Sequence, residues 1–276
     1  MTAALDLPID ASNVYLGSPG RLRPLPPPKP DVQPEGTRFA PVSRSLDGTG
    51  TEWFFGTKRK FKLDLPWCTP GERAWLELCW DGAIQPLWLI DPLTPNRYPK
   101  GVASSGSTLR GEQAFNSDAA TTTVAEQPDC PNAPPRSVRV TAATYLGYDR
   151  LPVVGGETLT FVSWSRASSE LTPEVTFTDA LGTVLGTTTA DTVPGGATTL
   201  TKSVLTAPVP DRSAFAAYRL TQAEVGTIVS GAWRAAADGG TEWTNGGGAY
   251  RVAFTDKSSS SSRYPLETVS VTLEEL

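Results

Sequence analysis

Chemistry in this chain has to proceed without histidine, because its 276 residues contain none. That removes His-based triads, imidazole acid–base work and His-ligated zinc or iron. Three cysteines, Cys68, Cys79 and Cys130, form no CxxC and are too few for an all-thiolate zinc site. They read as free, small apolar residues in a reducing compartment. Carboxylates could pair as the acid and nucleophile of a glycosidase. Here they are scattered through strands and turns, which makes a carboxylate-dependent glycosidase the least favoured reading. There is no GxSxG and no GxxxxGK[ST], and Gly48-Thr49-Gly50 lacks the third glycine of a dinucleotide fingerprint. The run Ser258 to Ser262 reads as a flexible loop. The expectation is a protein that is not an enzyme, with no catalytic residue, cofactor or metal.

Aromatic side chains offer the other chemistry. Trp233 and Trp243 bracket a segment holding Gly and Asp, and Tyr250 follows the triple glycine 246–248. An aromatic face near a loop tip stacks on the C–H face of a sugar ring. The plainer assignment is that all three fill a core or a domain junction. Trp164, inside an apolar stretch, reads as core.

The elements that must position these residues are mostly strands. Pro and Gly number 25 each, which breaks helices and favours short strands and turns. Residues 52–65 alternate, with Arg59, Phe61, Leu63 and Leu65 on one face and Lys58, Lys60, Lys62 and Asp64 on the other. One helix is expected over 70–81. Thr69 is its cap, Pro70 lies in its first turn, Glu72 completes a capping box, and Gly82 stands at the C-terminal cap. Its apolar residues, Trp75 and Trp80 among them, cover more circumference than one sheet face can bury, and both tryptophans are expected to be covered. Residues 87–90 form a short apolar strand. After Ser137, seven or eight short strands separated by Gly-rich turns predict a sandwich. Charge divides too: residues 1–100 carry 12 basic and 11 acidic groups, and residues 101–276 carry 12 and 18. The net charge of −5 disfavours nucleic acid. No secretion signal and no membrane-spanning run is visible.

The expected fold is therefore mainly β, with two β-sandwich domains. The first carries the helix at 70–81, and the second is jelly-roll-like, in the manner of a carbohydrate-binding module. An extended Pro-rich arm occupies 1–36, the first domain 37–98 with that arm, a linker and entry loop 99–136, and the second sandwich 137–276. The arm has Pro26-Pro27-Pro28 and the apolar Leu16, Leu22 and Leu25. With Trp75 and Trp80 it is expected to pack on a neighbouring copy.

Residues 14–26 (VYLGSPGRLRPLP), 56–63 (GTKRKFKL) and 86–97 (PLWLIDPLTPNR) resemble, in order and spacing, minor tail proteins of actinobacterial phages with long non-contractile tails. In that family a Leu-Gly turn leads into an Arg-Leu-Pro strand, a basic pair precedes an aromatic-apolar strand, and an Asp-Pro and Asn pattern precedes a second domain. The stretch from Gly156 to Phe161 leading to Trp164 looks like the carbohydrate-binding sandwiches joined to such tails. The family often has histidine before the basic strand, and this chain departs there. The resemblance implies a virion structural protein assembled in the host cytoplasm, with a ring-forming domain similar to that of distal tail proteins. Six copies are implied, or three at a three-fold tip. The tail tube and hub proteins would be its partners, and the second domain would serve either as a spacer or as a contact to host cell-wall glycan. A cellular carbohydrate-binding protein is the alternative.

Overall fold

The structure, a computed structural model, describes residues 13–29, 35–39, 42–44, 50–52, 56–103, 120–125, 129–130, 137–142, 145–148, 150–236 and 246–276. The chain begins with β1 (Tyr15–Gly17), β2 (Arg23–Pro24), β3 (Glu35–Phe39), β4 (Val42–Arg44), β5 (Gly50–Glu52), β6 (Gly56–Cys68), α1 (Pro70–Trp80) and β7 (Trp88–Ile90). Next come α2 (Lys100–Ala103), β8 (Ala120–Val124), β9 (Ser137–Ala142), β10 (Tyr145–Gly147), β11 (Leu151–Pro152) and β12 (Thr158–Arg166). The middle section finishes with β13 (Thr172–Thr178), β14 (Val184–Thr189), β15 (Thr201–Pro208), β16 (Phe215–Thr221) and β17 (Ile228–Ala236). Two long strands close the chain, β18 (Ala249–Arg263) and β19 (Leu266–Glu275). The protein is mainly β, as its turn-rich composition requires.

The first unit is an antiparallel sheet in the order β2-β1-β7-β18-β19-β6-β3, with β4 and β5 as a separate ribbon. Alternation in β6 works as read: Phe61, Leu63 and Leu65 are buried, and they face Leu273, Val271 and Val269 of β19 in direct register. Helix α1 lays Trp75, Leu76 and Cys79 on this apolar face. Its start is the expected capping box. The Thr69 hydroxyl accepts from the Glu72 N–H, while the Glu72 carboxylate accepts from the Thr69 N–H at 2.7 Å. Gly82 at φ +76° continues the chain past the Asp81 cap.

The second unit is a sandwich. One sheet runs β10-β16-β13-β14 with β11 beside β16, and the other runs β15-β12-β17-β9-β8. Between them lies a core that includes Leu159, Phe161, Val175, Phe177, Leu205, Tyr218 and Val229. Successive strands β12 to β17 pass back and forth between the two sheets, which is the jelly-roll-like arrangement.

Three organisational expectations need correction. First, the sandwich does not run to residue 276. β18 and β19 are central strands of the first sheet, and β7 pairs directly with β18 through Ile90 and Ala249. The sandwich is thus an insertion between two adjacent strands, and Ser258 to Ser262 lie in β18 rather than in a loop. The alternation in β19 looks the same from sequence whichever sheet receives it, so periodicity could not assign it. Second, part of the supposed linker is structure: α2 places Val102 and Ala103 in the sandwich core, and β8 pairs with β9. Third, the described part of the arm packs on its own unit. Residues 14–29 fold back on their own unit, β1 pairing with β7, the Leu25 N–H donating to Val14, and the Lys29 N–H donating to Asp64. Leu16, Leu25 and Trp75 all bury in this chain's own core, and Leu22 packs half-buried at the junction. Within the single chain Trp80 is left partly open. It is 42% exposed, with Phe254 edge-on at 5.7 Å as its ring contact.

The two chain crossings between the units are tightly fastened. Gly247 N–H donates to the Tyr98 carbonyl at 2.6 Å, Gly248 N–H to Asn96 at 2.8 Å, and Asp91 N–H to Gly248 at 2.8 Å. Glycine is required at two of these positions. A Cβ on Gly246 would sit 2.3 Å from the Tyr98 oxygen, and one on Gly248 would sit 1.9 Å from the Thr94 oxygen. Alongside, the buried Arg97 guanidinium grips the Glu157 carboxylate with two bonds of 2.6 and 2.7 Å. Val154 of the sandwich inserts among Tyr15, Ile90 and Ala249 of the first sheet.

Candidate functional site

The sandwich strand β12 is buried on both of its faces. Leu159 and Phe161 turn into the core, whereas Val162 and Trp164 turn outward and are covered by Cys130 and Leu200. Trp164 is therefore buried as expected, but in a small satellite cluster on the sheet's outer face. The register of β15 sets Lys202 opposite Trp164 and Val204 opposite Val162. The Lys202 ammonium lies 5.3 Å from the indole centroid, a cation held over the aromatic face. Thr160 and Thr206 extend the row with a hydroxyl pair at 3.1 Å.

On the other flank, β17 pairs with β12 through Val162–Arg234 and Trp164–Ser230, and the register slips between these pairs. Trp233 lies in that slipped stretch of β17, one strand away from Trp164. The outer face of β15, β12 and β17 thus gathers a cation, hydroxyls and the strand carrying Trp233, while the Trp164 indole is 3% exposed and covered. Hydroxyls and a cation can hydrogen-bond to a sugar, whereas the covered Trp164 ring is closed to stacking.

The other two aromatic candidates do not join this face. Tyr250 is 4% exposed in the core of the first sheet, 4.9 Å from Phe61, with its hydroxyl accepting from Arg59. It is closed to any ligand, because the triple glycine before it is the returning chain crossing and not a solvent-facing turn. Trp243 lies outside the described residues. Of the expected assembly set, Leu16, Leu25 and Trp75 share one buried core, and Trp80 with the neighbouring Leu78 of α1 remains as exposed apolar surface on the helix flanks.

Buried carboxylates serve the fold. Glu157 holds Arg97 and the Val154 N–H, Glu72 closes the helix cap, and Asp91 accepts from the Leu93 N–H. Burial raises the Asp91 carboxyl above its ordinary value, opposed by that hydrogen bond and by Arg59. Among the described residues no His, Cys, Asp and Glu cluster could hold a metal ion, and no helix is long and apolar enough to cross a membrane. The three cysteines are buried.

No protein-family model and no curated protein matches this sequence. Among solved structures, the enzymatically active domain of bacteriophage CBA120 tailspike protein 4 is similar at TM-score 0.41 and 14% identity over 51% of this chain and 21% of that one. The C-terminal family 22 carbohydrate-binding module of Clostridium thermocellum Xyn10B is similar at TM-score 0.37 and 14% identity, covering 52% of this chain and 95% of the module. The CBM22-1 xylan-binding domain of Paenibacillus barcinonensis Xyn10C gives 0.32 and 14%, covering 44% and 83%. The chain spans about a fifth of the tailspike's length.

Proposed function

We propose that this chain is a non-catalytic structural component of a bacteriophage tail, at or near the tail tip. Its sheet-and-helix unit sits in a ring or hub, and its sandwich is displayed from that unit. One observation carries the reading. The segments 14–26, 56–63 and 86–97, which resemble minor tail proteins, lie far apart in sequence yet supply β1, β2, β6 and β7 of a single sheet. A likeness that converges on one folded unit is a likeness of that unit. The inserted sandwich leaves it through two pinned crossings and so projects at a fixed angle, which suits either a spacer or a contact to host glycan. Ring formation, with six copies or three, rests on the Leu78 and Trp80 flanks of α1 and no longer on the arm. Virions of a phage encoding the chain should yield its peptides by mass spectrometry. A gold-labelled antibody against the sandwich should mark the distal end of the tail. Virions without the chain, or label confined to the capsid, would overturn the reading.

A second reading, a cellular carbohydrate-binding protein, is favoured by the outer sandwich face where the exposed Lys202 and Thr206 lie on the sheet that carries Trp233. It requires retention on an insoluble polysaccharide that Trp233→Ala abolishes without loss of folding.

A further inference from the structure

Between the two units lies a cleft of about 400 Å³. Each wall comes from a different part of the chain. Trp88 of β7 gives an indole, residues 97–99 of the outgoing crossing give one side, and Arg150, Leu151 and Pro152 of the sandwich give the other. The volume is at the small end of ligand pockets, enough for one or two rings.

The walls are set before any ligand arrives. Arg97 is fixed by its two bonds to Glu157, the Tyr98 carbonyl by Gly247, and the Pro99 carbonyl by the Ala103 N–H at 2.8 Å. Pro152 is held in register with Phe215, and Leu151 with Ala216. Such a site loses little entropy on binding.

Its electrostatics are uneven. The charge of Arg97 is consumed by Glu157, whereas Arg150 is exposed and forms no ion pair with any described residue. Arg251, opposite Trp88 in the β7–β18 register and exposed, adds a second positive charge on the same face of the sheet. An aromatic plate and the Pro99 ring on one side, with an unspent guanidinium on the other, match a ring that has an apolar face and bears one carboxylate.

We propose that this cleft binds one carboxylated pyranose, a uronic-acid unit, with Trp88 stacking on the ring and Arg150 holding the carboxylate. The assignment does not rest on the tail reading, since this chain alone builds the cleft.

The test uses the purified full chain, titrated with D-glucuronate, D-glucose, benzoate and an oligoglucuronate, with binding read by calorimetry and by the shifts of tryptophan indole N–H signals. Glucuronate or its oligomer should bind at least tenfold more tightly than glucose and than benzoate. Arg150→Gln should weaken that binding at least tenfold, while Arg139→Gln, an exposed arginine on the other sheet of the sandwich, should leave it unchanged. Preference for the oligomer would identify a polysaccharide end as the source, and equal binding per unit would identify the free sugar. Trp88→Phe should weaken binding several-fold. If that variant does not fold, the Arg150 comparison decides alone. The proposal is overturned if neither acidic sugar binds, if glucose or benzoate binds as well as glucuronate, or if Arg150→Gln binds like the native chain.

Discussion

At Gly248 two backbones approach so closely that a single methyl group has nowhere to go. Its Cβ would lie 1.9 Å from the Thr94 oxygen and 3.0 Å from the Asn96 oxygen, both main-chain atoms that cannot swing aside. Gly248→Ala should therefore cost about 4 kcal/mol, at the upper end of single-residue effects. Gly196 is the control. It has φ +78° and open space around the missing Cβ, so Gly196→Ala should cost only the left-handed penalty of about 1–2 kcal/mol. Urea midpoints of the two variants separate the effects, and equal losses would mean that the crossing relaxes. The cysteines give a residue-scale pH dependence. Burial pushes the Cys68 thiol up to about 11, with Glu72 adding to the effect, and burial pushes the Cys79 thiol up to about 12. An unfolded thiol ionises near the ordinary value of 9.0. Above that pH the unfolded chain releases protons that the native chain keeps, so the contribution is full below about pH 9 and is lost as pH rises through the folded values. Stability should fall from about pH 9 upward, less steeply in a Cys68→Ala/Cys79→Ala double variant. A thiol reagent at about pH 8 should label all three cysteines only after denaturation.

Helix α1 divides its two tryptophans between different environments. Trp75 is 5% exposed, donates its indole N–H to the Leu16 carbonyl at 3.1 Å, and has the Arg23 guanidinium 4.3 Å from a ring centroid. Trp80 lies on the helix flank against Phe254. Trp75→Ala should cost about 3–5 kcal/mol, whereas Trp80→Ala in the isolated chain should cost about 1 kcal/mol, the scale of one edge-on ring contact. Thr69→Ala, which removes one side of the capping box, should cost about 1 kcal/mol. These are denaturation measurements, and a Trp80 loss equal to that of Trp75 would mean that the flank is covered. The helix was legible from sequence down to its cap because Thr69, Glu72 and Gly82 act locally. So were most strands, including the two faces of β6. The site was half legible. Trp164 reads as buried, but burial under Cys130 and Leu200 on the outer face depends on which loop covers the sheet, and that is a long-range fact. Tyr250 misleads for the same reason, since a triple glycine before an aromatic strand has one spelling whether it turns in solvent or threads between two backbones.

The nesting of one unit within the other is the largest feature that sequence patterning missed, because alternation marks a strand without naming its neighbour. It makes a whole-molecule prediction. A fragment of residues 1–98 lacks β18 and β19, which separate β7 from β6 in the sheet, and should remain unfolded. Residues 1–96 joined directly to 247–276 should fold, because Asn96 and Gly248 are already hydrogen-bonded neighbours. Circular dichroism and amide dispersion distinguish these outcomes, and a folded 1–98 would refute the nested reading. The same topology governs how the molecule bears tension. β1 and β19 both belong to the first sheet, so a pull on the two ends is carried by that sheet and passes through the β7–β18 pairing without entering the sandwich. Only when that pairing tears does the insert feel any force. In an optical trap the first rupture should release chain from the sheet alone. A later, separate rupture should release the insert, adding roughly 50 nm of contour at the reach of an extended chain. The sandwich behaves as a mechanical side branch, shielded from axial load by the strand pair at its base.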